Sequence, residues 1–290
     1  MKPLVSIAMP VFNNERTIKA TISSILNQTY SSWELLLMDD GSTDKTLQIA
    51  ENFQDHRIKI IKANRPKNTP QFSIAANLNR AICLSKGKYF ARMDGDDIAY
   101  PERLQAQVEY LESHPDVDLV GTKVVVFDQH AHARGSYSIG ESHAEICNRP
   151  WSGFYLTHPT WMGKKEWFAL HQYQEKTIRA EDFEFLLRTH QTSKFACVPE
   201  ILLGYRVESF SLRKSLIGRY QFSLALLEKA FREKNYLWFL GVVEQITKAL
   251  VDIFASTTGL NFKILRHRVG NQMNATELTR WQEVWTSCNS

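Results

Sequence analysis

Four stretches of this chain gather polar groups where chemistry could be done. Asp94-Gly95-Asp96-Asp97 follows a β-rich run at 88–93, Asp39-Asp40-Gly41-Ser42-Thr43-Asp44 follows another at 34–38, and Pro10-Val11-Phe12-Asn13-Asn14-Glu15 follows a third at 4–9. The fourth, Glu181-Asp182, stands just before Phe183, Phe185, Leu186 and Leu187, an apolar helical pattern. In an open α/β sheet ligands bind beyond the carboxyl ends of the strands, so the first three stretches belong at one edge. Carboxylates there suit Mg²⁺ or Mn²⁺, hard cations that take one or two protein oxygens and draw the rest from substrate phosphates. The spacing of Asp94 and Asp96 on an extended segment lets one face a metal and the other a ribose hydroxyl. The plain alternative is a solvated acidic turn.

The Asp39 to Asp44 stretch also has two readings. Gly41 makes a turn, and Thr43 or Asp44 caps a helix. That leaves Asp39 beside Asp40, a repulsive pair at a strand end unless one of them meets a ligand donor such as a base N–H. His158, before Pro159, is either a phosphate contact or a satisfied polar residue at a strand end. Trp151 and Trp161 suit either sugar stacking or the core. Glu181 and Asp182 would, by themselves, be an acidic helix start. Neither a GxGxxG nor a Walker A pattern occurs, so dinucleotide dehydrogenases and P-loop ATPases are not supported.

The elements that must hold these groups alternate. Strands are expected at 4–9, 34–38, 58–61 and 88–93, with helical spacing at 17–27, 44–53 and 72–85, the pattern of βαβ units and a mainly parallel sheet. The fold class is α/β. Pro101-Glu102-Arg103 opens a further helix that stops near His114-Pro115, and strand resumes at 119–127. Residues 128–150, rich in Gly, His and Ser, read as a long irregular excursion that helps to shape the site. A weaker mixed pattern occupies 151–210, and only helix follows from about 212. These shifts divide the chain into a catalytic region at 1–210, with a nucleotide-binding half at 1–100 and an acceptor-binding half at 101–210, and a helical region at 211–290.

Composition sets the remaining bounds. With 290 residues, 43% hydrophobic and 23% charged, the chain can bury a real core. Its start is too short an apolar run for a signal peptide, and four scattered cysteines suggest neither disulfides nor zinc, so a cytoplasmic location is expected. The net charge of +4 is uneven: residues 205–270 hold 11 Lys/Arg against 5 Asp/Glu, the rest 24 against 26. A basic segment favours an anionic surface. Within it, Glu244, Lys248 and Asp252 interrupt an apolar run at a spacing of four, which makes a bilayer span too charged. Leu240, Val243, Leu250, Ile253 and Phe254 then call for burial on the catalytic region, on a second subunit as a homodimer, or on lipid.

Taken together, these residues resemble the family 2 glycosyltransferases, inverting enzymes with the GT-A fold, in the form that builds bacterial surface polysaccharide. Carrying the resemblance over about residues 3–210 are Val5-Ser6-Ile7 through Asn13, Asp39 to Asp44, Gly87-Lys88-Tyr89, Ala91-Arg92-Met93-Asp94-Gly95-Asp96-Asp97, Pro101 to Leu104, Val120-Gly121-Thr122, His158-Pro159 and Glu181-Asp182. The resemblance implies that Phe12, Glu15 and Asp40 line a base pocket, with Asp40 favouring uracil. Asp94 would meet the ribose and Asp96 the metal, Mn²⁺ or Mg²⁺; Pro10, Arg92, Gly95 and His158 would complete a nucleotide-sugar site. Asp182 would be the base, with Glu181 its neighbour.

A single sugar would pass from a UDP-sugar to a glycan or lipid-linked acceptor, with peripheral membrane contact through the basic tail and no nucleic-acid partner. Two features depart from relatives. Tyr205-Arg206-Val207-Glu208 lacks a histidine two residues on, which passes any diphosphate contact to Arg206. Glu277-Leu278-Thr279-Arg280-Trp281 echoes the QxxRW motif of processive synthases with Glu for Gln and lies too far beyond Asp182 to share that role. The rivals are a sugar-phosphate nucleotidyltransferase, which would carry a glycine- and basic-rich loop after its first strand, and a non-catalytic sugar-nucleotide-binding module, which would need no base.

Overall fold

A computed structural model describes residues 2–63, 73–137, 139–207, 210–260, 269 and 271–289. Phe72, in the expected third helix, Glu208, and the basic residues Lys263, Arg266 and Arg268 lie outside the described residues. Strands β1 (Val5–Val11), β2 (Trp33–Asp39), β3 (Ile58–Lys62) and β4 (Tyr89–Arg92) alternate with helices α1 (Ile18–Leu26), α2 (Thr46–Glu51) and α3 (Ile74–Leu84). The four strands pair in parallel in the order β3-β2-β1-β4. Both faces are covered, which is why β1 and β2 are buried at every position and read as continuous apolar runs.

Pro10 sits in a central strand without breaking it, because β4 pairs β1 only as far as Ala8 and has turned away before the missing N–H. The first-half elements match the expected ones to within a few residues at each end.

The second half makes the sheet mixed. After the short β5 (Ile98–Ala99) and α4 (Arg103–Ser113) come β6 (Leu119–Phe127), β7 (Ala133–Ser136), α5 (His143–Ile146), β8 (Met162–Lys164), α6 (Lys165–Leu170), α7 (Glu181–Thr189) and β9 (Phe195–Arg206). The order continues β4-β8-β6-β9-β5, with β8 antiparallel to β4 and β6, and β9 parallel to β6. The 128–150 stretch is more regular than expected. It contains β7, antiparallel to β6, and α5, closed by a Ser142–Glu145 capping box.

Arg103 ties this half together from inside the protein. Its guanidinium donates to the carbonyls of Arg92 (2.7 Å) and Pro159 (2.9 Å), and burial pulls its pKa down to about 10. Those bonds hold the end of β4 against the Pro159 segment.

Among the described residues three helices follow: α8 (Leu212–Glu233), α9 (Trp238–Thr257) and α10 (Ala275–Asn289). α10 seals the back of the sheet. Trp281 is buried there against Phe127 (4.6 Å between ring centroids), and a Cβ on Gly204 would lie 2.3 Å from its ring. The Glu277-to-Trp281 echo is therefore a packing element, with Trp281 bonded to the Ala131 carbonyl.

Of the three coverings expected for the apolar side of α9, the catalytic region does not supply one. Its polar stripe faces inward: Asp252 takes Ser215 (2.6 Å) and Arg219 (2.8 Å), and Glu244 takes Ser152 (2.6 Å). Leu240, Val243, Leu250 and Phe254, expected to be covered, are 60–64% exposed. Helical spacing reveals a stripe but not which side faces the protein. Here polar partners on α8 and at Ser152 claim the charged side.

Candidate active site

The three strand-end stretches do meet at one edge, held by backbone bonds. The β1–β2 register places Val11 opposite Asp39, and Asp40 N–H donates to the Val11 carbonyl at 3.0 Å. The Asp39-Asp40 pair has a division of labour that sequence could not show. Asp39 accepts from the Gly41 and Ser42 N–H groups, both at 3.1 Å, so it builds the turn, with Gly41 at φ 89° in the left-handed region. Asp40, 8% exposed, is left beside the β1 end. Glu15 is not free to reach widely, since its carboxylate accepts from Lys45 N–H at 3.1 Å while Asp44 accepts from Glu15 N–H at 3.0 Å. Phe12 N–H bonds the Asn14 side chain (2.9 Å), which fixes the same loop.

Gly95 is required by packing: a Cβ there would come within 2.8 Å of Val11 Cγ1 and 3.2 Å of Asn14. Its carbonyl accepts from Thr17 (2.8 Å) and Thr21 (3.2 Å) on α1. The turn thus anchored sets Asp94, Asp96 and Asp97 together, with one carboxylate oxygen from each within 4.8 Å of the others. Asp97 is fully buried; one oxygen accepts from Arg206 N–H (2.9 Å), and the other, Oδ2, has no hydrogen-bond partner among the described residues. Burial, with Asp96 and Asp94 adding negative charge, pushes its pKa well up. Arg92 offsets part of this negative charge, and a hard divalent cation would offset more of it and give Oδ2 a partner. The residues fit such an ion.

Arg206 donates to the Asp96 carbonyl from Nε (2.9 Å), and its guanidinium lies over the Phe127 ring at 4.6 Å. The Tyr205-Arg206 pair thus braces the acidic turn from β9, a role its sequence position alone would not reveal.

Beside the turn is a cleft of about 720 Å³ lined by Arg92, Asp94, His158, Glu181 and Asp182, together with Tyr137, Tyr205 and, from α9, Lys248. Five of the residues expected in the site therefore share one cavity. Phe12, Glu15, Asp40 and Asp96 lie outside its lining, around the neighbouring strand ends.

Arg92 is 3% exposed and pairs with Asp94 at 2.9 Å. Burial opposes its charge, but Asp94, Tyr173, Asp182 and Glu181 outweigh it and raise its pKa. Asp182 opens α7. Burial first, then the Glu181 charge, lift its carboxyl to about 6, against the pull of its own backbone N–H bonds and Arg92. A carboxylate so placed is basic enough to take a proton near neutral pH.

His158 lies in the cleft wall, with Nε2 3.0 Å from the Tyr173 hydroxyl and its ring 4.3 Å from Trp161. Burial and Arg92 hold its pKa well below the usual value. Burial and Arg92 thus favour the neutral imidazole, which the Tyr173 hydroxyl partners. Trp161 is fully buried, with its N–H on the Leu156 carbonyl, so it is core. Tyr137, Tyr205 and Lys248 went unforeseen as cleft residues. Lys248 was visible as part of the tail's polar stripe, but only the fold brings it beside Ser152 at 2.8 Å.

The glycosyl transferase family 2 model matches residues 6–170. A Bacillus subtilis protein named as a glycosyltransferase, EpsE, is 45% identical over 130 residues, 44% of this chain and 45% of EpsE. Over 108 residues, 37% of this chain and 41% of its own length, the Escherichia coli enzyme WfgD, named a UDP-Glc:α-D-GlcNAc-diphosphoundecaprenol β-1,3-glucosyltransferase, is 41% identical. The match thus spans less than half the length of each relative. The structure of Staphylococcus aureus TarS with UDP superposes with a TM-score of 0.58 at 19% identity, covering 78% of this chain and 66% of that one, and shares the mixed sheet with flanking helices. With the family model matching more than half of its length, the chain belongs to glycosyl transferase family 2 and, through it, to the glycosyltransferase enzymes.

Proposed function

We propose that this enzyme transfers one sugar from a UDP-sugar to an acceptor hydroxyl with inversion at the anomeric carbon. The observation that carries the reading is the pairing of the Asp94-Asp96-Asp97 acidic turn, whose Asp94 lines the cleft, with a basic carboxylate at Asp182 in the same cleft. Asp94, Asp96 and Asp97 would hold Mn²⁺ or Mg²⁺, which when bound stabilises a departing diphosphate. Asp40 and Phe12 would receive the base, with Glu15 holding their loops together, and Arg92 would keep Asp94 oriented. Asp182 would accept the proton of the attacking hydroxyl as the bond to the anomeric carbon forms on the face opposite the leaving UDP.

The family match ends before Asp182, so this role rests on its raised pKa and its place in the cleft. A nucleotidyltransferase is not favoured, since residues 10–15 offer no glycine- and basic-rich phosphate loop. Calorimetric titration with UDP tests the donor half: binding is expected with Mn²⁺ and should fall at least about tenfold with chelator, 1.4 kcal/mol or more. Equal binding in both would remove the metal from the account.

Surface-polysaccharide acceptors on a lipid carrier suit the tail. Among the described residues no helix is long and apolar enough to cross a membrane. Yet the outer face of α9, about 30 Å long, carries Leu240, Val243, Ile246, Leu250 and Phe254 exposed and no charge. That face, in a segment rich in lysine and arginine, would lie in the headgroup region of an anionic leaflet. Sedimentation with phosphatidylglycerol vesicles is expected to carry down the protein, and Leu240→Asp with Val243→Asp to leave it in solution. Equal pelleting of both forms would place the contact elsewhere.

A further inference from the structure

One wall of the cleft that holds Asp182 is the loop at 152–157, and α9 fastens it. Glu244 accepts from the Ser152 hydroxyl (2.6 Å), while Lys248 donates to that hydroxyl (2.8 Å) and to the Ser152 carbonyl (3.2 Å). Gln245, which is buried, donates to the Trp151 carbonyl at 3.3 Å. The helix comes as near as a glycine permits, since a Cβ on Gly241 would lie 2.7 Å from the Trp151 Cβ. The same loop meets the helix that carries the base. Gly153 sits at φ 134° in the left-handed region, and a Cβ there would be 2.9 Å from the ring of Phe183, the residue after Asp182.

What this fastened loop offers the cleft is Tyr155. Its neighbours Phe154 and Leu156 are buried, whereas Tyr155 is 41% exposed. The other phenylalanine and tyrosine rings that share the cleft are engaged: Tyr137 with Tyr205 (5.8 Å between centroids), Phe183 with Phe222 (5.3 Å) and Phe154 with His190 (5.6 Å). Among the described residues Tyr155 has no ring, cation or side-chain hydrogen-bond partner. A tyrosine has only two χ angles to fix, so it supplies contact area at little entropic cost. The negative face of its ring suits the polarised C–H groups on one side of a pyranose. For the hydroxyls at the sugar's rim, Ser152, Arg179 and Lys248 line the same cleft.

We propose that the acceptor's sugar ring packs on Tyr155 while its attacking hydroxyl lies at Asp182, and that Glu244, Gln245 and Lys248 are positioning residues that hold this platform. The proposal rests on the transferase reading and adds to it the residue that recognises the acceptor ring. The close approach of Gly153 to Phe183 joins the loop to the helix of the base, so a sugar seated on Tyr155 keeps a fixed relation to the carboxylate. The inward stripe of α9 thereby gains a task beyond packing, because three of its side chains set one wall of the acceptor site.

The test uses the full-length protein with Mn²⁺ and a panel of UDP-sugars, and the acceptor probes are the α- and β-octyl glycosides of glucose, galactose, N-acetylglucosamine and N-acetylgalactosamine. Transfer to the best probe is compared with release of UDP to water, which has no ring to seat. Tyr155→Ala is expected to raise the acceptor KM at least about tenfold, with kcat, release to water and UDP affinity within about twofold of wild type. Tyr155→Phe keeps the ring and should stay within about threefold of the wild-type KM. Glu244→Ala, which loses the Ser152 bond, should raise the same KM about threefold or more, and Glu244→Gln, which can still accept that bond, should restore it. An unchanged KM in Tyr155→Ala, an equal loss of release to water, or transfer to none of the probes by an enzyme that releases UDP to water would overturn the platform while the transferase reading stands. An unchanged KM in Glu244→Ala would overturn the positioning role. Failure of wild type to turn over any donor would take the transferase reading down, and the proposal with it.

Discussion

Turnover of the Asp182→Asn variant is expected to fall by roughly 10²- to 10⁴-fold, the usual contribution of a positioned general base, with UDP affinity unchanged. The amide keeps the shape but cannot take a proton. With its carboxyl lifted to about 6, Asp182 is protonated and inactive below that pH and charged above it, so the wild-type rate should rise through about pH 6. The variant's residual rate should show no such rise. Stability runs the other way. A carboxyl whose pKa is raised by folding destabilises the folded state wherever it is ionised, so ionisation between the unfolded value and about 6 erodes stability as pH rises. At neutral pH the variant should therefore melt no lower than wild type, and a combined loss of activity and stability would mark Asp182 as structural instead.

Second in expected size is Asp96→Ala. If the three aspartates hold the cation as proposed, removing one hard oxygen ligand should cut metal-stimulated UDP release about 10³-fold, equivalent to several kcal/mol of leaving-group stabilisation. Cation titration should show half-saturation moved to much higher Mn²⁺. The fold should persist, because hydrogen bonds through the Gly95, Asp96 and Asp97 backbone and the Asp97 side chain shape this turn. Unchanged Mn²⁺ dependence would contradict the assignment of the acidic turn.

How far the sequence alone reaches can be seen residue by residue. The first four strands were legible because a sheet buried on both faces leaves unbroken apolar runs, and the acidic stretches beyond them mark its working edge. β9 was not, because Pro199 falls in a bulge: β6 pairing jumps from Val198 to Ile201 and breaks any alternation. Asp40 and Asp39 are indistinguishable as letters; only the turn bonds show that Asp39 builds the turn. Asp182 in the same cleft as Arg92, and Arg206 bonded to the Asp96 carbonyl, are juxtapositions over long stretches of chain that no local pattern encodes. The tail shows the same limit, since the spacing of Glu244, Lys248 and Asp252 gives a stripe and the partners on α8 decide that it faces inward.

The most direct measurement is UDP release from a panel of UDP-sugars, with Mn²⁺ or Mg²⁺ and a carrier-linked acceptor, by wild type, Asp96→Ala and Asp182→Asn. The account predicts cation-dependent release from one donor, lost in both variants and coupled to an acceptor product of inverted anomeric configuration. Tight UDP binding with no turnover of any donor would contradict it, and would leave a protein that recognises the nucleotide sugar without transferring it.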